Sequence, residues 1–168
     1  MTRKSIYLAG GCFWGTQKFF DQFDGVLSTE VGYANGPGDA VSYQQVCASS
    51  GHAETVHIEY DSDRISLTTL LDYYFMTIDP TAYHRQGADK GIQYRTGIYY
   101  LDESQLPEIR QRYEAEQTKY RQPLLVELLP LKNFCRAEDY HQKYLDKNPG
   151  GYCHISPELL HLAEKEHK

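Results

Sequence analysis

The sequence has 168 residues, 40% hydrophobic and 24% charged, enough apolar material to build a core without disulfides or a structural metal. Seventeen Lys and Arg against twenty-three Asp and Glu give a formal net charge of −6 with no basic run, which argues against nucleic acid as a partner. The richest apolar run, Leu124 to Leu131, is broken by Glu127 and Pro130 and falls short of the ~20 residues of a membrane span, so no membrane association is expected.

At the N-terminus the apolar stretch Ile6-Tyr7-Leu8-Ala9 stops at Gly10-Gly11, too short for the ~7 to 15 apolar residues of a secretion signal. A cytoplasmic, reducing setting is expected, in which the four cysteines start as thiols. A short buried strand is predicted over residues 5–9 and a helix over 13–23, where Phe13, Phe20 and Phe23 roughly share a face. Cys12 falls at their join. Residues 26–33 and 55–60 are strand candidates, rich in β-branched and aromatic residues. Leu67, Leu70, Leu71, Tyr74, Phe75 and Ile78 recur at helical spacing, with Ser66 as cap and Asp79-Pro80 as stop. A strand over 97–101 and a helix through Leu106, Ile109, Tyr113 and Tyr120 follow, the helix supported by Glu108 and Arg112 at i,i+4. A strand over 124–129, a last helix over 137–147 and a polar tail complete the chain. The order predicts an α/β (α+β) two-layer sandwich with a ferredoxin-like plait core. Neither repeats nor linkers interrupt it, so residues 1–168 read as one domain with a flexible C-terminal segment from about 148.

Cys12 carries the strongest local signal. It follows a strand, opens a helix and is flanked by Gly11, Phe13, Trp14 and Gly15, a setting that favours a thiolate and leaves room for a substrate. The alternative is a small buried hydrophobe at a strand end. Glu54 shares strand parity with Val56, Ile58 and Tyr60, so it could sit at the edge of an apolar face, where desolvation suits a carboxyl to donate a proton. The pattern alone slightly favours a strand that starts at residue 55, leaving Glu54 in a solvated turn. Cys153, in Gly151-Tyr152-Cys153, is either an exchanging thiol on a flexible segment or an incidental surface cysteine. Cys47 and Cys135 read as structural. The cysteines lack zinc-ligand spacing, the histidines form no metal motif, and no phosphate-binding glycine loop is present, so no metal or nucleotide cofactor is expected. Tyr43 and Tyr94 lie in polar, loop-like contexts where a phenol could bond a ligand.

Four blocks stand in order along the chain: Gly11-Cys12-Phe13-Trp14-Gly15, Gly51-His52-Ala53-Glu54, Asp89-x-Gly91-x-Gln93-Tyr94-Arg95 and Gly151-Tyr152-Cys153. Together with Ala137-Glu138-Asp139-Tyr140-His141-Gln142, they make the chain closely resemble the peptide-methionine sulfoxide reductase A family. The resemblance implies reduction of the S epimer of methionine sulfoxide, free or in peptides and proteins. It implies Cys12 as nucleophile and sulfenic-acid carrier, Phe13 and Trp14 as the pocket for the substrate methyl group, and Glu54 as the acid, assisted by Tyr43, Asp89 and Tyr94. Cys153 resembles the resolving cysteine, in a two-cysteine cycle recycled by thioredoxin without a bound cofactor. A monomer is expected. His84 stands where the family commonly has asparagine. Two other readings fit less of the pattern: a thiol peroxidase, which leaves Glu54 no sulfoxide to protonate, and a module that binds methionine-containing peptides without turnover.

Overall fold

The computed structural model describes residues 2–36, 51–86, 89–148, 155, 157–160 and 162. Among these, the strands are β1 (Arg3–Ala9), β2 (Val26–Ala34), β3 (Ala53–Asp61), β4 (Arg85–Gln86), β5 (Asp89–Lys90), β6 (Gly97–Tyr100), β7 (Glu127–Pro130) and β8 (Phe134–Arg136). The helices are α1 (Phe13–Asp21), α2 (Leu67–Met76), α3 (Leu106–Gln117), α4 (Tyr144–Lys147) and α5 (Pro157–Leu160).

Six strands form one sheet in the order β7-β6-β1-β3-β2-β8. Its four central strands, β6-β1-β3-β2, are mutually antiparallel, with α1 between β1 and β2 and α2 in the connection from β3 to β6. This is the ferredoxin-like plait expected from the order of elements. β7 joins β6 in parallel after the α3 crossover, and β8 extends the other edge antiparallel to β2.

Side-chain alternation divides the sheet into two faces. Ile6, Leu8, Val31, Tyr33, Val56, Ile58 and Ile98 point to the helix layer, where Phe19 and Phe20 of α1 and Leu70, Leu71 and Tyr74 of α2 close a fully buried core. Tyr7, Ala9 and Tyr99 point the other way and pack with Leu129, Leu131 and Phe134, while His57 stacks on Tyr7 at 4.3 Å. That stack removes the His57 imidazole from water, which lowers its pKa.

The helices start where their chemistry allows. The Ser66 hydroxyl accepts from the Thr69 N–H and caps α2, a contact typically worth about 1 kcal/mol. Helix α3 differs from expectation in its pairing. Glu108 accepts from the backbone N–H and hydroxyl of Thr68, at 2.9 and 2.6 Å, and so satisfies the open end of α2. Arg112 instead bonds Asp72 and Glu116, with its guanidinium 4.9 Å from the Phe75 ring.

Three further differences concern the C-terminal half. The strand expected over 124–129 begins later, at Glu127. The helix expected over 137–147 is interrupted: after a 3-10 turn, Asp139–His141, the extended Gln142 and the left-handed Lys143, with φ 56°, break the helical path before α4. Strands β8, β4 and β5 were not expected, being too short to show a period. No helix among the described residues is long and apolar enough to cross a membrane.

Candidate active site

Strand β1 ends against a tight bend that fixes Cys12. Gly11 adopts φ 82°, open to glycine at little cost, and a Cβ on Gly10 would come within 2.7 Å of Ile78. The buried Tyr74 hydroxyl donates to the Ala9 carbonyl at 2.6 Å and accepts from the Gly97 N–H at 3.1 Å, tying α2 to the ends of β1 and β6 beneath this bend. Cys12 then takes the N-cap position of α1, with φ −64° and ψ 125°, and is 6% exposed. Its sulfur lies at the positive end of a nine-residue helix, where a thiolate is favoured.

Glu54 is not in a solvated turn. Strand β3 begins at Ala53, so Glu54 takes the parity of Val56 and Ile58 and turns into the helix layer, 1% exposed. Its Oε1 accepts from the Phe13 N–H at 3.3 Å, which joins the carboxyl to the residue next to Cys12. One orphan amide of the α1 N-terminus is thereby used. Cross-strand from Glu54 stands Tyr33, whose buried hydroxyl donates to Glu138 Oε1 at 3.2 Å. Burial, reinforced by Glu138 and Glu54, raises the Tyr33 pKa far enough to keep the phenol protonated.

Phe13 and Trp14 extend an aromatic wall from the same turn. Phe13 lies 5.6 Å from Tyr33 and 5.4 Å from His141, between ring centroids. The Trp14 indole N–H donates to His141 Nδ1 at 3.0 Å, and its ring stacks on Tyr144 at 3.8 Å. An acceptor at Nδ1 requires a neutral imidazole protonated at Nε2. Burial lowers the His141 pKa and opposes the upward pull of Glu138, which fits that neutral state. Tyr33, Glu138, His141 and Tyr144 were absent from the sequence reading as site residues. The order Glu138, His141, Tyr144 is a helical spacing that reads equally well as an ordinary helix face.

Tyr94 closes a 3-10 turn, Ile92–Tyr94, that lies against β3. The next residue, Arg95, braces that turn: its guanidinium donates to the carbonyls of Ile92 and Asn35 and to Glu127. Asp89 belongs to β5, which pairs with β4. His84, before that hairpin, has φ 47°, a left-handed conformation that histidine adopts more readily than most side-chain-bearing residues. Cys135 sits on β8 opposite Tyr33. Tyr43, Cys47 and Cys153 lie outside the described residues. Among the described residues, no group of three or more His, Cys, Asp or Glu could hold a metal ion.

Cys12 at a helix N-terminus, a carboxyl bonded to the following amide and an aromatic wall together make a candidate thiol-based site. The family model described as peptide methionine sulfoxide reductase matches residues 4–168. A peptide methionine sulfoxide reductase MsrA of Clostridium acetobutylicum is 56% identical over 158 residues, covering 94% of this chain and 98% of that protein. The crystal structure of Mxr1 from Saccharomyces cerevisiae in reduced form is 39% identical with a TM-score of 0.87, over 92% of this chain and 91% of that one. Mxr1 in complex with Trx2 is 28% identical with a TM-score of 0.61, over 84% of each chain. The chain belongs to the peptide methionine sulfoxide reductase family, in its MsrA branch, and is an oxidoreductase.

Proposed function

We propose that this chain reduces the S epimer of methionine sulfoxide, in peptides and proteins and as the free amino acid, with Cys12 as nucleophile, Glu54 as acid and Cys153 as resolving thiol. The observation that carries the reading is the bond between Glu54 and the Phe13 N–H, which joins a buried carboxyl to the backbone of the Cys12 turn.

A sulfoxide oxygen is a poor leaving group until protonated, and the sulfur becomes electrophilic only as the proton arrives. Proton delivery from Glu54, with attack of the Cys12 thiolate on that sulfur, forms a Cys12–substrate S–S bond; transfer of the protonated oxygen to the Cys12 sulfur then breaks that bond and the substrate S–O bond, releasing methionine and leaving Cys12 as sulfenic acid. The two electrons come from the Cys12 sulfur. Phe13 and Trp14 form the apolar wall against the substrate methyl group, and Tyr43, Asp89 and Tyr94 assist at the oxygen. Cys153 then attacks the sulfenic sulfur, expels water and forms a Cys12–Cys153 disulfide. Thioredoxin returns both thiols by dithiol exchange, a reading supported by the structure of yeast Mxr1 with Trx2. Residues 1–168 act as one unit in this scheme, the segment from about 148 bringing Cys153 to Cys12. Every residue in it comes from one chain, so a monomer in a reducing, cytoplasmic setting suffices.

Cys153→Ser tests the recycling half. A single turnover is expected to release about one methionine per protein, as in the unaltered chain, after which thioredoxin-dependent cycling stops and a sulfenic-acid probe labels Cys12. Normal steady-state cycling with thioredoxin overturns the assignment of Cys153.

A further inference from the structure

Trp14 is the only tryptophan in the chain, and its ring is held by two side chains from one short segment. His141 takes its N–H and Tyr144 stacks on its face. Between these two residues stands Lys143, left-handed with φ 56° and ψ 35°, a conformation that a side-chain-bearing residue keeps only when its surroundings hold it there. The extended Gln142, with φ −69° and ψ 125°, ends the turn Asp139–His141, and the left-handed Lys143 after it turns the chain into Tyr144–Lys147.

Several bonds hold Lys143. Its N–H donates to Gln17 Oε1 at 2.8 Å, and its ammonium donates to Asp21 Oδ2 at 2.6 Å and Thr29 Oγ1 at 2.9 Å. Gln17 and Asp21 belong to the same helix that carries Trp14, one and two turns on. The Thr29 hydroxyl also donates to Asp21 Oδ1 and accepts from Gln17 Nε2, so four side chains form one network. The preceding residue, Gln142, fixes the segment to β2: its amide accepts from the Val31 N–H at 2.9 Å and donates to the Val31 carbonyl at 2.8 Å. The segment is thus referenced to β2 by Gln142 and to α1 by Lys143.

We propose that Lys143 is a positioning residue for the substrate wall: its left-handed backbone and its ammonium bonds to Asp21 and Thr29 set Tyr144 and His141 against Trp14. The assignment rests on the reading of Trp14 as that wall. Lys143 touches neither Cys12 nor Glu54 in this scheme and acts on binding rather than on bond breaking.

The test uses the full chain and its own fluorophore. Lys143→Met keeps the aliphatic stem and removes the ammonium. It is expected to shift Trp14 emission to the red, lower its anisotropy and raise KM for a peptide methionine sulfoxide about tenfold with kcat nearly unchanged. Lys143→Arg, which keeps the cation, is expected to restore both readouts. Asp21→Asn removes the partner instead and is expected to reproduce the emission change should Lys143→Met fold poorly. Unchanged Trp14 emission and anisotropy in a folded Lys143→Met protein overturns the proposal, as does an emission change with KM untouched. If the unaltered protein reduces no sulfoxide, the functional reading fails by itself, while the emission shift and its rescue by arginine still support the hold of Lys143 on Trp14.

Discussion

Cys12→Ser is expected to abolish turnover while leaving the fold intact. The substitution is nearly isosteric at a site 6% exposed, so it opens no cavity and adds no unmatched volume. The chemistry cannot survive it. A serine hydroxyl does not ionise near neutral pH, and an oxygen nucleophile that accepted the sulfoxide oxygen would have to become a peroxide. Among the described residues the other cysteine, Cys135, lies on β8 and not at the N-terminus of α1. Steady-state assays with thioredoxin or a small dithiol should give the background rate. Thermal unfolding should show a folded protein with a single cooperative transition. If binding of a sulfoxide peptide persists and methionine release does not, Cys12 is the reacting group. Undiminished turnover removes it from the mechanism.

Glu54→Gln is expected to lower kcat/KM by about 10² to 10⁴, the usual contribution of a positioned general acid. Glutamine is the informative substitution because its side-chain carbonyl can still accept from the Phe13 N–H, preserving the bond that joins β3 to the Cys12 turn. Only the transferable proton is lost. Alanine would also leave that amide without its acceptor, at about 1 to 3 kcal/mol, and would mix a structural cost with a chemical one. Glu54→Asp should fall between the two, since the carboxyl survives but is drawn back by one methylene. Rapid-quench measurement of methionine release separates the chemical step from recycling. A Glu54→Gln protein with unaltered release kinetics would exclude the acid role, whatever its effect on KM.

Much of this arrangement was legible in the sequence because it is local. Ser66 caps α2 since capping needs a hydroxyl beside an amide three residues on. Cys12 opens α1 because the glycines before it and the aromatic residues after it mark a strand-to-helix join. The plait followed from the order of elements, since split β-α-β units leave few ways to return to one sheet. Glu54 shows the limit: its parity was correct, but its burial depends on whether β3 starts at Ala53 or Thr55. That boundary is set by pairing of Ala53 with Ala34 and of Glu54 with Tyr33, contacts far apart in the chain. For the same reason Glu108 was misread. An i,i+4 partner was available in Arg112, but the Glu108 carboxylate instead accepts from Thr68 at the open start of α2, and only the packing of α3 on α2 brings them together. His141 and Tyr144 were hidden because an extended Gln142 and a left-handed Lys143 between them break a spacing that otherwise reads as continuous helix.

The central claim is that one thiol takes the oxygen of one sulfoxide epimer and passes the oxidation to a second thiol. Fully reduced protein, incubated without added reductant with each separated epimer of a peptide methionine sulfoxide, tests it directly through methionine released and disulfides mapped. About one methionine per protein from the S epimer alone, together with a Cys12–Cys153 bond, is the expected result. No methionine from either epimer would contradict the account, and equal release from both would contradict the stereospecific site built from Glu54, Phe13 and Trp14.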